Sequence, residues 1–187
     1  MTFFAIETER LMLRKFAPSD AEATAAYQGL PEVARYCMWE PRSLDRVREL
    51  IPRWIAMDGT GENSEGIQYA AVLKASGALI GDAVLMFEDR AARQGQIGYV
   101  MSPQFQGQGY TTEAMEAVLA VGFEQVGLHR ISARCDARNS ASWRVMEKLG
   151  MRREAHFREH AIFKGEWDEE LVYAILEDEW RAARKAN

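Results

Sequence analysis

The chain has 187 residues with a formal net charge of −5, and 48% of its residues are hydrophobic and 27% charged. These values predict a single soluble globular domain and exclude a disordered or low-complexity chain. The acidic balance argues against nucleic acid as a partner, because phosphate groups need a basic surface, but one loop of backbone amides could still hold an anionic cofactor.

The sequence predicts no disulfide framework, no membrane segment and no metal site. Cys37 and Cys135 are too few for a disulfide scaffold, which predicts reduced thiols in the cytoplasm. No apolar run approaches the roughly 18 to 20 residues that span a bilayer, and the start MTFFAIETER is unlike a signal peptide. His156 and His160 are spaced i,i+4 but fall in a predicted strand, so we do not expect them to bind zinc.

The first half of the chain predicts two helices and then a run of strands. Apolar and basic residues alternate over residues 10–16, as in a half-buried strand, and PSD at 18–20 has the character of a helix start. The helical period of apolar residues over 43–57 predicts a second helix, which Pro52 is expected to kink or interrupt. After a polar loop, strands are predicted at 67–74, 79–88 and 96–101.

The second half alternates strands and helices. Its predicted elements are a helix at 110–126, a strand at 130–136, a helix at 140–149, a hairpin of strands at 156–163 and 171–176, and a charged helix at 177–185. This order predicts an α/β (α+β) fold with a mixed sheet and helices on both faces. One domain is expected over 1–187, with its core at about 6–177.

The segment QIGYVMSPQFQGQGYTT, at 96–112, predicts a strand, a loop and the start of a helix. Free amides at a helix start bind anions, and Gly107 and Gly109 would let the backbone approach a phosphate. Thr111 and Thr112 could add hydroxyl donors. The alternative is a tight turn without a ligand. A nucleoside triphosphate loop is disfavoured because the segment has no lysine, and a dinucleotide fold because the loop lies past mid-chain.

This loop resembles the motif of the GNAT acetyltransferase superfamily, which reads Gln/Arg-x-x-Gly-x-Gly/Ala between a strand and a helix. The preferred register is Gln106 to Thr111, which keeps the usual distance from Pro103, with Thr111 where glycine or alanine is usual. The register that begins at Gln104 fits literally but lies too close to the strand.

A second block, ARCDARNSASWRVMEKLGMRREA at 133–155, resembles the strand–Asn–helix block of the same superfamily. It carries Asn139, Ser142 and the Lys-Leu-Gly ending, with Met151 in place of the usual phenylalanine. Together the two blocks resemble the branch that includes the ribosomal-protein alanine N-acetyltransferases, over roughly 6–177. The resemblance implies a GNAT-like, mostly antiparallel central sheet with a splayed strand pair that admits the cofactor.

The resemblance also implies how acetyl-CoA is held. The edge of the strand at 99–101 would pair with the pantetheine arm, and loop amides would hold the pyrophosphate. Asn139 would bond to the arm, although an asparagine there also serves as a plain helix N-cap. The residues thus assigned to the cosubstrate are Tyr99, Val100, Met101, Gln106, Gly107, Gln108, Gly109, Tyr110, Thr111, Thr112, Asn139 and Ser142.

Amine chemistry and the resemblance together suggest catalytic groups. A strand amide at Val100 or Met101 would stabilise the oxyanion. Relatives use a tyrosine seven residues after the asparagine for the leaving thiolate; Met146 occupies that position, so Ser142 is assigned to the thiolate. The usual glutamate position holds arginine, and Asp82 is our choice for the general base, with Glu88, Glu40 or a water relay as alternatives.

The acceptor is the least determined part of the prediction. Tyr36 and Trp39 are expected to form its wall, since the N-terminal helices do so in this superfamily, although both could instead be core residues. The acceptor is a protein N-terminus or a small amine such as an amino sugar, polyamine or amino acid. A non-catalytic acyl-CoA-binding module is the alternative from another class. We expect a monomer or homodimer.

Overall fold

A computed structural model describes residues 3, 5–60 and 64–186. In this part of the chain eight strands form one sheet in the order β1-β2-β3-β4-β5-β6-β8-β7. The strands are β1 Ile6–Glu7, β2 Leu11–Arg14, β3 Gly66–Leu73, β4 Leu79–Asp89, β5 Gln94–Met101, β6 Arg130–Asp136, β7 Arg152–Phe163 and β8 Glu166–Leu176. The helices are α1 Ala21–Gln28, α2 Pro31–Ala34, α3 Leu44–Ala56, α4 Tyr110–Ala120, α5 Ser140–Lys148 and α6 Glu177–Ala186.

Helices cover both faces of the sheet, and each face has its own apolar core. The larger core packs α4 and α5 against inward side chains of the central strands, including Leu13, Tyr69 and Leu85. A smaller core lies on the other face, where Val47 and Ile51 of α3 pack against the sheet. The apolar stripe of α3 supplies this second core, as its helical period predicts.

The sheet is mixed and mostly antiparallel, as predicted. In the described strands β5 and β6 form the parallel pair, and the other neighbouring strands run antiparallel. The parallel pairing joins Gln94, Gly95 and Gln96 to residues 130–132 and extends no further. β5 continues to Met101 and β6 to Asp136, so the two strands diverge beyond this short ladder. The predicted splayed pair is confirmed.

Two elements differ in length or type from their predicted form. At a third, α3, the helix is not interrupted at Pro52, an exposed residue that lacks a backbone donor. The helix predicted over 110–126 ends as α-helix at Ala120 and continues as a π-helical turn, Val121–Val126. The last hairpin is longer than predicted, since its charged ends also pair across the ladder of β7 and β8.

Candidate active site

A cavity of about 470 Å³ opens where β5 and β6 diverge. Its walls come from both diverging strands, from the end of β4, from the β7–β8 hairpin and from the segment that follows α2. The lining residues are Tyr36, Met38, Glu88, Gln96, Ile97, Gly98, Arg134, Cys135, Asp136, Phe163, Asp168 and Glu170. The cavity is therefore bordered by the open edge of β5.

The loop between β5 and α4 has the geometry of an anion site. Gly107 and Gly109 have φ of 73° and 83°, the left-handed region that glycine adopts without strain. A Cβ placed on Gly107 would meet nothing within 4 Å, so positive φ rather than crowding explains this glycine. α4 begins directly after Gly109, and its first amides lack carbonyl partners within the helix. The helix dipole adds partial positive charge there.

Two contacts fix this loop. The Gln106 side chain donates from Nε2 to the carbonyl of Met101 at 2.9 Å, which ties the loop to the end of β5. Arg10 donates from Nη1 to the carbonyl of Gln108 at 3.0 Å, and its guanidinium lies 4.4 Å from the ring centre of Tyr110. Arg10 was not predicted from the sequence, because only the packing of α4 beside β2 brings the N-terminal segment to a loop far along the chain.

Glu113, in the first turn of α4, anchors Arg10. Its carboxylate accepts from Thr8 Oγ1 at 2.6 Å, from the Arg10 amide at 2.8 Å and from Arg10 Nε at 2.6 Å. Burial alone would raise the pKa of Glu113, but these hydrogen bonds outweigh it and lower that pKa. The carboxylate therefore stays ionised, where the helix dipole also favours negative charge.

Asn139 and Ser142 begin α5 beside the diverging strands. The Asn139 side chain accepts from the Ser142 amide at 3.2 Å, so the asparagine caps the helix. Its amide nitrogen takes no part in this cap. The phenol oxygen of Tyr99 lies 2.9 Å from the Ser142 carbonyl oxygen and 3.0 Å from Ser142 Oγ. Tyr99, Asn139 and Ser142 are thus brought together at the start of α5.

Asp82 lies apart from the residues that line the cavity. Tyr27, Gln28 and Gln68 donate to its two carboxylate oxygens at 2.6, 2.8 and 3.1 Å. Burial raises the pKa of Asp82, against the opposing effect of these three hydrogen bonds. The carboxylate is enclosed by its own donors beside α1, on the strand next to β5.

Glu88 lines the cavity, as do the carboxylates of Asp136, Asp168 and Glu170. The register between β4 and β5 shifts between Phe87 and Asp89, which makes Glu88 the extra residue of a β-bulge. Bulges of this kind re-aim a side chain. The carboxylate of Glu88 accepts from Ser132 Oγ on β6 at 3.3 Å, so it reaches across the end of β5. The third candidate, Glu40, is instead 3.4 Å from Lys164 Nζ.

Of the two residues predicted for the acceptor wall, Tyr36 lines the cavity and Trp39 does not. Trp39 stacks instead under the guanidinium of Arg42, at 4.2 Å from its ring centre. Lys164, at the tip of the β7–β8 hairpin, was not predicted as a site residue. Its ammonium donates to the carbonyls of Ala34 and Trp39 at 2.9 and 3.0 Å, which holds the hairpin against the segment after α2.

The remaining predicted positions fall along the loop and strand. Val100 lies opposite Asp82 in the β4–β5 ladder, and Met101 is in the larger core. Thr112 borders a second groove, of about 740 Å³, on the β2 side of α4. In the described residues, no helix is long and apolar enough to cross a membrane. Over the same part of the chain, no three His, Cys, Asp or Glu side chains are grouped to hold a metal ion.

Comparison with known proteins gives consistent matches. A family model described as acetyltransferase (GNAT) domain matches residues 10–152. The Bacillus subtilis protein named uncharacterized N-acetyltransferase YnaD is 34% identical over 94% of this chain and 98% of its own. The Escherichia coli [ribosomal protein uS5]-alanine N-acetyltransferase is 25% identical over 47% of this chain and 45% of its own. A Bacillus anthracis acetyltransferase (GNAT family) crystal structure superposes with a TM-score of 0.81 at 32% identity, covering 95% of this chain and 99% of that one.

Proposed function

The chain belongs to the GNAT acetyltransferase family, and we propose that it moves an acetyl group from acetyl-CoA to a primary amine by direct attack of the amine on the thioester. One observation carries the proposal: a loop–helix anion site adjoins the open edge of a diverging strand pair. A ligand that carries both phosphate groups and a chain with peptide-like amides fits these two features, because the phosphates suit the anion site and the amides suit the open strand edge. The activated acetyl thioester supplies the electrophile.

The residues of this chain would hold acetyl-CoA in three places. The amides of residues 107–112 would bind the pyrophosphate, since they include the first, unpaired amides of α4. The free edge of β5 at 99–101 would pair with the pantetheine amides. The Asn139 amide nitrogen, which is left over from capping α5, would donate to the same arm. Tyr110 and Gln106 fix the loop through Arg10 and Met101.

We assign the general base to Glu88 in preference to Asp82. A protonated amine must lose a proton before its nitrogen can attack a carbonyl carbon. Glu88 lines the cavity beside Gln96 and Gly98, whereas the oxygens of Asp82 are already engaged by three buried donors. Of the two amides predicted for this role, that of Met101 faces the free edge of β5 and would stabilise the oxyanion that the attack creates, whereas that of Val100 faces Asp82 in the β4–β5 ladder.

The acceptor that we favour is a protein N-terminus, and a small amine is the second candidate. The relative that acts on an alanine of ribosomal protein uS5, by its name, supports the first. Tyr36 and Phe163 give the cavity two aromatic walls, which suit a cationic amine of either kind. We further propose that the enzyme works in the cytoplasm, since Cys37 and Cys135 are free thiols.

Thiol release tests this function directly. The protein is incubated with acetyl-CoA and a panel of small amines and N-terminal peptides, and free CoA thiol is followed. We expect turnover with at least one acceptor and mass addition of one acetyl group to it. CoA binding without turnover on any acceptor would favour the non-catalytic module, and failure to bind CoA would reject the function.

The role of Ser142 has its own test. Ser142→Ala removes the hydroxyl but leaves the backbone amide that Asn139 caps. The variant is expected to lose turnover, by about tenfold or more, with little change in CoA affinity, because a thiolate contact forms mainly in the transition state. Equal losses in turnover and affinity would argue against a thiolate role.

A further inference from the structure

A phenol from β5 and a hydroxyl from α5 meet behind the cavity, at the point where β5 and β6 diverge. Tyr99 points toward the larger core, as its neighbours Ile97 and Met101 do, and its oxygen lies 3.0 Å from Ser142 Oγ. Cys135 of β6 lies beside the same hydroxyl: burial raises the pKa of the Cys135 thiol to about 11, and Ser142 opposes that rise. Side chains of both diverging strands therefore converge on Ser142.

The α5 helix offers no phenol of its own to this place. Met146, the side chain one turn along α5 from Ser142, is buried at 1% exposure in the larger core and carries no proton to donate. Tyr99 reaches Ser142 from the opposite wall instead. Its oxygen touches the carbonyl and the hydroxyl of the same residue, so the contact depends on Ser142 alone.

The protons of the two hydroxyls can be arranged in two ways. The phenol of Tyr99 has one proton and two acceptors in reach, the carbonyl oxygen and Oγ of Ser142. If Tyr99 donates to the carbonyl, Ser142 can donate to the phenol oxygen. If Tyr99 donates to Oγ, the Ser142 proton is free to point at a third atom. A negatively charged sulfur next to Ser142 favours the second arrangement, because the Ser142 proton then meets a charged acceptor in place of the neutral phenol oxygen.

We propose that Tyr99 is a positioning residue, whose phenol donates to Ser142 Oγ so that the Ser142 hydroxyl donates to the departing sulfur. This inference rests on the proposed function. After the amine nitrogen has bonded to the carbonyl carbon, the oxyanion intermediate collapses, the C–S bond breaks and its electron pair stays on sulfur. Glu88 takes one proton from the ammonium before the attack, a second amine proton is lost to water after the C–N bond has formed, and the thiolate takes a proton from water, so that the amide, the thiol and one net proton result. Tyr99 and Ser142 keep their own protons throughout, and burial, which raises the pKa of Tyr99, agrees with a phenol that never ionises.

A double-mutant cycle tests the coupling. Tyr99→Phe keeps the ring and removes the hydroxyl, and we expect kcat to fall about threefold to tenfold, the value of one hydrogen bond between neutral groups, with the KM for acetyl-CoA within about twofold. The Tyr99→Phe/Ser142→Ala double variant is expected to be no slower than Ser142→Ala alone. Losses that multiply in the double variant would overturn the proposal, because they would mean that Tyr99 acts without Ser142.

A matched phenol controls for damage to packing. Tyr173 of β8 is buried and donates to Glu147, on the same helix as Ser142, at 3.3 Å. Tyr173→Phe therefore removes a partly buried hydroxyl that contacts α5 without touching Ser142. We expect its kcat to match that of the wild type within about twofold; a loss as large as in Tyr99→Phe would show that helix docking, not positioning, explains the effect.

Binding supplies a readout that needs no turnover. The affinity for CoA relative to desulfo-CoA, measured by calorimetry at alkaline pH, where the sulfur of CoA is a thiolate, reports the contact that forms only in the transition state when the enzyme works at neutral pH. We expect Tyr99→Phe to lower this ratio by severalfold and Tyr173→Phe to leave it unchanged. A chain that binds CoA but acetylates no amine would refute the proposed function, and the ratio would still decide on Tyr99. An unchanged ratio in Tyr99→Phe would overturn the positioning role.

Discussion

Arg10 and Glu113 form a two-point contact, through the backbone amide and Nε of the arginine, at 2.8 and 2.6 Å from the two carboxylate oxygens. This pair joins the segment before β2 to the first turn of α4. The same guanidinium holds the carbonyl of Gln108, so its position sets the shape of the loop that we assign to the pyrophosphate.

Loss of the Arg10 guanidinium is expected to weaken cofactor binding more than turnover. Arg10→Met keeps the apolar stem over Tyr110 but leaves Glu113 and the Gln108 carbonyl without this donor. We expect the Kd for CoA to rise about threefold to tenfold, because the pair is partly exposed, with kcat changed less. Calorimetry and steady-state kinetics measure the two quantities.

Arg46→Met is the control for the Arg10 variant. Arg46 forms an exposed ion pair with Glu49 on α3, where side-chain exposures are 58% and 64%, and such pairs contribute little. We expect its Kd for CoA to equal that of the wild type. If Arg10→Met binds CoA as tightly as this control does, the loop holds its shape without the arginine.

Replacement of Glu88 is expected to slow acetyl transfer. Glu88→Gln keeps the size of the side chain at the bulge but removes its ability to accept a proton, and general bases contribute about 10²- to 10⁴-fold to rate. We expect kcat/KM for the amine to fall within that range near pH 7. The ratio of kcat/KM between wild type and Glu88→Gln is expected to decrease as pH rises, because a larger fraction of the amine is then already deprotonated in solution.

Glu49→Gln, on the exposed face of α3, is the neutralised control for the Glu88 variant. A pH–rate profile of both variants with one acceptor gives the comparison. Full activity in Glu88→Gln together with a large fall in Asp82→Asn would transfer the role of base to Asp82.

The enclosed carboxylate of Asp82 is expected to couple stability to pH. Burial raises the pKa of Asp82 in the folded protein above the ordinary value of 3.8, which applies to the unfolded chain. At a pH between the unfolded and the folded pKa, the folded state therefore binds more protons than the unfolded state. The stability that comes from this group is present in full below about 3.8 and is lost as pH rises through the folded pKa. Denaturant unfolding of wild type and Asp82→Asn at several pH values isolates the effect, since other groups titrate alike in both proteins.

We expect the free-energy difference between wild type and Asp82→Asn to shift against the wild type as pH rises from about 4. A difference that moves in the opposite direction would mean that the three donors lower the pKa of Asp82 more than burial raises it. A constant difference would mean that the folded and unfolded pKa values are equal.

The sequence predicts those parts of the molecule whose signals are local. Residue type and spacing indicate the loop at 96–112 and the Asn139 cap. The strand at Arg130–Asp136 has the predicted bounds. Arg10 and Lys164 could not be predicted, because each acts on a carbonyl far along the chain that strand order brings near. The bulge at Glu88 could not be predicted either, because a register shift depends on the partner strand.

The Lys164 contact leads to a prediction for acceptor binding. Its ammonium meets two carbonyls, of Ala34 and Trp39, at a hairpin turn where Lys164 itself has φ of 49°. Phe163, the preceding residue, lines the cavity, so the contact holds one aromatic wall of the site in place. Lys164→Met is expected to raise the KM for the amine about threefold to tenfold and to leave the Kd for CoA unchanged, because the cofactor loop lies elsewhere.

Hydrogen exchange provides the structural half of this test. Amides of the β7–β8 hairpin tip are expected to exchange faster in Lys164→Met than in wild type, because the tip then opens locally without the rest of the sheet. Lys185→Ala, at the exposed end of α6, is the charge-matched control and is expected to alter neither quantity. If the hairpin tip exchanges faster but the KM for every amine is unchanged, the wall at Phe163 takes no part in acceptor binding. If neither quantity changes, the pairing of β7 with β8 holds the tip in place without Lys164.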